Sequence, residues 1–401
     1  MMRTNGLNNN VVLMVMICFF TNMGGYMILP LFPLFIEQMK FSVFAMSVIF
    51  AIFYVGKVCG GVPTGYLLKR WGGKSVGISL LALQVISMIG FALTTNYLIL
   101  CGLRFIQGAI ATGLIVFVRS TINEWSTEDN RGTLNGYISS SDGAGMVLGP
   151  VISGWMSLYF ALNVPFYFVA LCTGFALFAL IRIKGNHFEQ RSEAIVVKDK
   201  SRKININQKL AFYSTVHFLE MSAFAVFLTY FALYATHIMG WSSFSTSAAF
   251  TVVGVSTFIS APFVGMISDR LKDRLMICMI GLSLIAVEVI LFLAFDQHWI
   301  VYLGMLIGGI GGACYLDSFF AHIADTVRQE QRSSFIGNVI SFSELGAIVS
   351  PIVAGMLVSS FSLYVAFYFN LAILLAAILI QLVMRFRLKN PEYDIELNDR
   401  Q

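Results

Sequence analysis

The stretch RGTLNGYISSSDGAGMVLGPVISG at 131–154 returns 201 residues later as RSSFIGNVISFSELGAIVSPIVAG at 332–355. Arg131, Gly136, Ser140, Gly145, Pro150 and Gly154 recur as Arg332, Gly337, Ser341, Gly346, Pro351 and Gly355. Both copies carry Gly and Pro inside apolar runs, which membrane helices tolerate because packed neighbours re-satisfy the backbone. A repeat at half the chain length predicts two similar halves in a membrane, the construction of transporters that rock one half against the other. The repeat extends to the short loops. Gly65, Arg70 and Lys74 match Gly265, Arg270 and Arg274, at an offset of 200. Each half starts on the same side, so the relating axis runs along the membrane normal.

The rest of the chain agrees. It is 57% hydrophobic and only 12% charged, far from the usage of a soluble protein of 401 residues. Apolar runs long enough to cross about 30 Å of hydrocarbon fall near 11–36, 44–68, 76–94, 97–118, 133–158, 162–182, 209–236, 244–267, 275–295, 299–324, 334–358 and 362–384. The expected fold is an all-α membrane protein with twelve transmembrane helices in two pseudo-symmetric six-helix bundles. The first run is too long for a signal h-region and lacks a small-x-small cleavage site, so it is read as helix 1. Expected boundaries are 1–182 for the N-terminal bundle, 183–208 for a charged linker, 209–385 for the C-terminal bundle and 386–401 for a tail.

Among 26 Lys and Arg, Lys40 alone falls in an odd-to-even loop, and Lys57 and Arg104 fall within helices. The remainder lie on the opposite side or at its margin, so both termini are expected in the cytoplasm. The net charge of +5 then reflects topology, and no nucleic-acid partner is expected. Cysteines 18, 59, 101, 172, 278 and 314 sit in apolar runs without paired spacing and read as packing thiols. There is no nucleotide-binding motif, His-rich cluster or large loop. Neither an enzyme nor a resident metal or cofactor is expected.

Four local patterns resemble the major facilitator superfamily. GYLLKRWGGK at 65–74 is similar to its Gly-xxx-Asp-Arg-x-Gly-Arg-Lys loop, with Lys69 where that family usually has the latch Asp. The second-half loop, GMISDRLKDR at 265–274, keeps Asp269 and Arg270. LCGLRFIQGAIATG at 100–113 resembles the helix-4 element built on Arg104 and Gln107. Gly145-xxx-Gly149-Pro150-xxx-Gly154 resembles the antiporter motif of helix 5, with Ser153 replacing one Gly, and Pro30 and Pro33 resemble a helix-1 element of exporters. Gly65 is expected to let helices approach closely. Arg70 and Lys74 are expected to cap a helix or pair with an acid. The Gly145–Gly154 face is expected to seat a helix of the other half. The resemblance implies that helices 1, 2, 4, 5, 7, 8, 10 and 11 line a cavity and that the helix-5 motif marks export in exchange for protons.

A proton-driven transporter needs a membrane-embedded acid, and such acids are functional candidates by default. Asp142, Glu220 and Glu344 lie deepest, and Asp317 fits a gate. Glu288 is the weakest, because helix 9 stands outside the cavity in that family. Arg104 is expected to tune these acids. His217 and Glu220, like His322 and Asp325, are three apart on one helix face. Asn22, Tyr26, Tyr54, Lys57, Gln107, His217 and Phe224 are the expected substrate contacts. Lys57 with Arg104 suits a solute bearing carboxylates.

The expected function is a proton-coupled exporter of a small organic solute, lipophilic and drug-like or amphoteric. The alternatives are a dedicated exporter of a zwitterionic or carboxylate-bearing metallophore and, behind it, an uptake symporter. The expected setting is a multi-pass monomer in a bacterial cytoplasmic membrane.

Overall fold

The computed structural model describes residues 2–127, 130–183, 208–271 and 273–389. Among these residues the fold is wholly helical. The helices are α1 (Met2–Gln38), α2 (Val43–Trp71), α3 (Gly73–Leu93), α4 (Tyr97–Trp125), α5 (Arg131–Tyr159) and α6 (Val164–Arg182). They are followed by α7 (Gln208–His237), α8 (Ser243–Leu271), α9 (Arg274–Ala294), α10 (His298–Thr326), α11 (Gln329–Ser360) and α12 (Tyr364–Lys389). Eleven of these are long and apolar enough to cross a membrane. The exception is α5, whose inner half carries Asn135, Ser139, Ser140, Ser141 and Asp142. The 183–208 linker (beyond its end residues) and the tail from 390 lie outside the described residues.

Helix ends follow local chemistry. The Ser42 hydroxyl accepts from Ala45 N at 3.1 Å, and Asn96 Oδ1 accepts from Leu98 N at 3.0 Å and Ile99 N at 3.3 Å. Asp273 caps α9 through Met276 N at 3.2 Å. Gly72, at φ 77°, makes the one-residue turn between α2 and α3 that a β-carbon would strain.

The chain divides into two compact units. One holds α1–α6 together with Trp241–Thr251, and the other holds α7 and everything from Val252 onward. Within the first unit α1 packs on α5, α2 on α4 and α3 on α6. In the second, α7 packs on α11 and α9 on both α10 and α12. Aromatic clusters anchor both. Phe91 and Phe166 stand 5.7 Å apart between ring centroids, and their equivalents 201 residues on, Phe292 and Phe367, stand 4.8 Å apart.

The close approaches are made by glycine, though not always the expected one. A β-carbon at Gly65 or Gly265 would meet nothing within 4 Å, so neither fits two helices together. Gly56 and Gly108 instead press α2 and α4 backbone to backbone, against the Phe105 and Phe53 carbonyls. On α5, a β-carbon at Gly145 would lie 2.8 Å from Met23 N, and one at Gly149 would lie 2.7 Å from Met23 O. Their partner is therefore α1 of the same unit, not a helix of the other half. Only Gly154 differs, meeting Ser247 and Phe244 at the start of α8, in residues that group with the first unit.

Candidate functional site

Each unit carries its own group of membrane-embedded polar residues. In the first, α1 and α5 bring two expected residues together, with a third close by on α1. The Tyr26 hydroxyl donates to Asp142 Oδ1 at 3.5 Å, and one turn earlier on α1 the Asn22 amide reaches Cys18 Sγ at 3.3 Å. Gly145 and Gly149 make this possible by letting α1 and α5 touch along their backbones. Arg119 on α4 adds a positive charge that acts on the Asp142 carboxyl. The sequence reading passed over Arg119. Its signal was its place directly after the apolar run that holds Arg104.

Two further pairs belong to α2 and α4. The Lys57 ammonium sits over the Tyr54 ring, 5.2 Å from its centroid. Arg104, 5% exposed, lies in an aromatic cage with its guanidinium carbon 3.3 Å from the Phe32 centroid and 5.3–5.8 Å from those of Phe50, Phe53 and Phe91. Its Nη1 donates to Gln107 Oε1 at 2.8 Å. Among its described contacts there is no acid, so tuning of a neighbouring carboxylate does not follow from this position. Gln107, expected at the substrate, is buried as its acceptor.

In the second unit α7 and α10 converge on a drier cluster. Glu220 Oε2 lies 3.2 Å from His217 Nδ1, the expected same-face pair. Tyr315, fully buried on α10, places its hydroxyl 3.4 Å from the same nitrogen. Phe319 and Phe320 close over the imidazole at 5.2 and 5.5 Å. Tyr315 was not foreseen, because nothing local marks which face of α10 meets α7. Asp317, two residues along α10, is exposed and turned away from this cluster. Phe224 is exposed on α7 and Glu344 is half-buried on α11.

The other same-face pair expected, His322 with Asp325 on α10, is not seen as an ion pair among the described residues. Asp325 does not meet His322 but takes Arg274 Nε at 2.5 Å, while His322 packs against the Tyr213 ring. Arg274 also holds Asp269 at 3.0 Å and Ser268 Oγ at 3.3 Å. The partner of Asp269 is thus Arg274. In the first unit the matching Lys74 caps α6, donating to the Ile181 and Ile183 carbonyls at 3.0 and 2.6 Å. Lys69 is exposed there, and Arg70 donates to the Tyr66 hydroxyl at 3.5 Å.

Glu288, ranked lowest, is 6% exposed between α9 and α10, in the space a side chain at Gly308 would fill. Gly308 stands 201 residues after Gln107. The first half therefore buries a base and an amide where the second buries an acid over a glycine.

Two repeated six-helix units with charged groups inside their membrane spans define a multi-pass transporter of the bacterial plasma membrane, not an enzyme. The sequence model of the Major Facilitator Superfamily matches residues 14–205 and 210–400, and the chain belongs to that superfamily. It is 23% identical over 362 residues to Multidrug resistance protein 2 of Bacillus subtilis strain 168, covering 84% of this chain and 85% of the relative. It is 22% identical over 391 residues to Quinolone resistance protein NorA of Staphylococcus aureus strain COL, covering 94% and 97%. The solved structure of the nucleoside transporter NupG superposes with a TM-score of 0.79 at 14% identity, covering 94% of this chain and 99% of that one.

Proposed function

We propose that the chain exports a small organic solute in exchange for protons, by alternating access, as a monomer with both termini in the cytoplasm. The observation that carries the proposal is that each unit embeds an acid beside another polar side chain: the Tyr26 hydroxyl donates to Asp142 at 3.5 Å, and His217 Nδ1 lies 3.2 Å from Glu220 Oε2. A carboxylate in a membrane helix is costly to keep, and a transporter that takes up and releases a proton there supplies a reason for it. The Gly145–Gly149–Pro150 element and the drug-resistance names of two relatives support the outward direction. Either a lipophilic drug-like molecule or an amphoteric metabolite fits this reading.

Lys57 favours a second reading, in which the dedicated substrate is a zwitterionic or carboxylate-bearing metallophore. Cations inside membrane helices suit a solute with carboxylates. Everted vesicles with an imposed proton gradient test both readings. A transported solute should collapse the gradient on addition, and cells bearing the chain should retain less of it. Greater retention in those cells would mean uptake and overturn the proposal. A response to lipophilic cations alone would remove the metallophore reading.

A further inference from the structure

We propose that α3 and α6 form a binding site for an anionic phospholipid, with one acyl chain in a lateral groove and the phosphate at Arg182. The groove, of about 630 Å³, is lined by Val85 and Ile89 of α3 and by Leu171, Gly174, Phe175 and Phe178 of α6. It is apolar from end to end, and Tyr167 marks its far limit. Its floor is Gly174, where a β-carbon would meet nothing within 4 Å. From Tyr167 to Phe178 the helix rises about 16 Å at 1.5 Å per residue, a length that suits much of one acyl chain.

What selects the occupant is the charge at one end. Leu171, Phe175, Phe178 and Arg182 follow at helical spacings of four, three and four, so they share a face. Side chains on a helix lean toward its N-terminus. The Arg182 guanidinium accordingly lies back over the Phe178 ring, 4.6 Å from its centroid, at the mouth of the groove. Arg182 is exposed, whereas the Lys74 ammonium is taken up by the Ile181 and Ile183 carbonyls at the helix end. An exposed guanidinium closing an apolar slot complements a phosphodiester above an acyl chain, and a zwitterionic headgroup would bring its own cation into the same place. Neither Asp142 nor Glu220 lines the groove, so its variants are separable from transport chemistry.

Native mass spectrometry of the delipidated full-length protein, offered phosphatidylglycerol or phosphatidylcholine of equal chain length, tests the site. The wild type should retain phosphatidylglycerol about five-fold better, the effect of about 1 kcal/mol per basic residue at an anionic headgroup. R182Q should erase that preference while still binding lipid, and R182K should restore it. G174F should lower retention of both lipids by filling the groove. Monodisperse elution checks that each variant is folded, and R182Q carries the test alone if G174F is not. Equal retention of the two lipids by the wild type would overturn the proposal. So would unchanged preference in R182Q, or a dimer of the wild type that G174F converts to monomer.

Discussion

Glu220 Oε2 lies 3.2 Å from His217 Nδ1, one turn away on α7, and the Tyr315 hydroxyl reaches that same nitrogen from α10 at 3.4 Å. Three titratable or hydrogen-bonding groups thus share one buried point, walled by Phe319 and Phe320. Removing any one of them leaves its neighbours without a polar contact where the low dielectric makes that contact count most.

E220Q keeps the size of this side chain and removes its proton exchange. The variant should fold and bind solute while substrate-dependent collapse of the proton gradient is lost. Full coupling in E220Q would remove Glu220 from that role. Y315F should be milder, lowering stability by about 1 kcal/mol for one hydrogen bond, read as a small drop in Tm.

D142N separates the two units. If the first-unit acid carries the proton, D142N abolishes coupled transport and Y26F weakens it, since Tyr26 alone is seen to donate to that carboxylate. If D142N transports like the wild type while E220Q does not, coupling belongs to the second unit. Gradient-collapse assays on both variants decide between these.

Arg104 has an informative counterpart in Met305, which stands 201 residues later and is fully buried. An unbranched apolar side chain evidently fits that pocket, so R104M should express and keep most of its Tm. R104A should lose more. It forfeits the packing on top of the cation–π contact, worth about 2 kcal/mol when desolvated, that both variants lose. Loss of transport in a folded R104M would assign the guanidinium a functional part.

Gly149 and Ser350 occupy equivalent places on α5 and α11 with opposite solutions. G149V should drive α1 and α5 apart, costing about 1–3 kcal/mol by overpacking, because its branches would enter the Met23–Met27 backbone. Ser350 instead donates to the Ser222 carbonyl at 2.9 Å. S350A should cost about 1 kcal/mol for that bond, seen as a smaller fall in Tm.

The Arg274 network predicts little for stability and something for salt. Asp269 is 70% exposed and Asp325 57% exposed at the side chain, so each pair is worth under about 1 kcal/mol. R274A should therefore lower Tm slightly, and the difference from wild type should shrink as ionic strength rises.

The number and places of the helices were legible because span length and local capping are written in contiguous residues. So was the Glu220–His217 pair, since residues three apart on a helix must share a face. The aromatic cage of Arg104 was not legible. It gathers Phe32, Phe50, Phe53 and Phe91 from three helices, and no local pattern says which faces will meet. The same holds for Arg119 beside Asp142 and for Asp325, whose neighbour in sequence, His322, lost it to Arg274 on another helix.

The sequence alone determined a duplicated twelve-helix membrane protein and its family, because hydropathy, repeat and loop charge are properties of order along the chain. The tertiary structure decided what each motif residue touches. It turned Gly145 and Gly149 toward α1, left Gly65 facing open space and set Glu288 over Gly308. Those outcomes follow from how helix faces interdigitate at close packing, and packing joins residues that the chain keeps far apart.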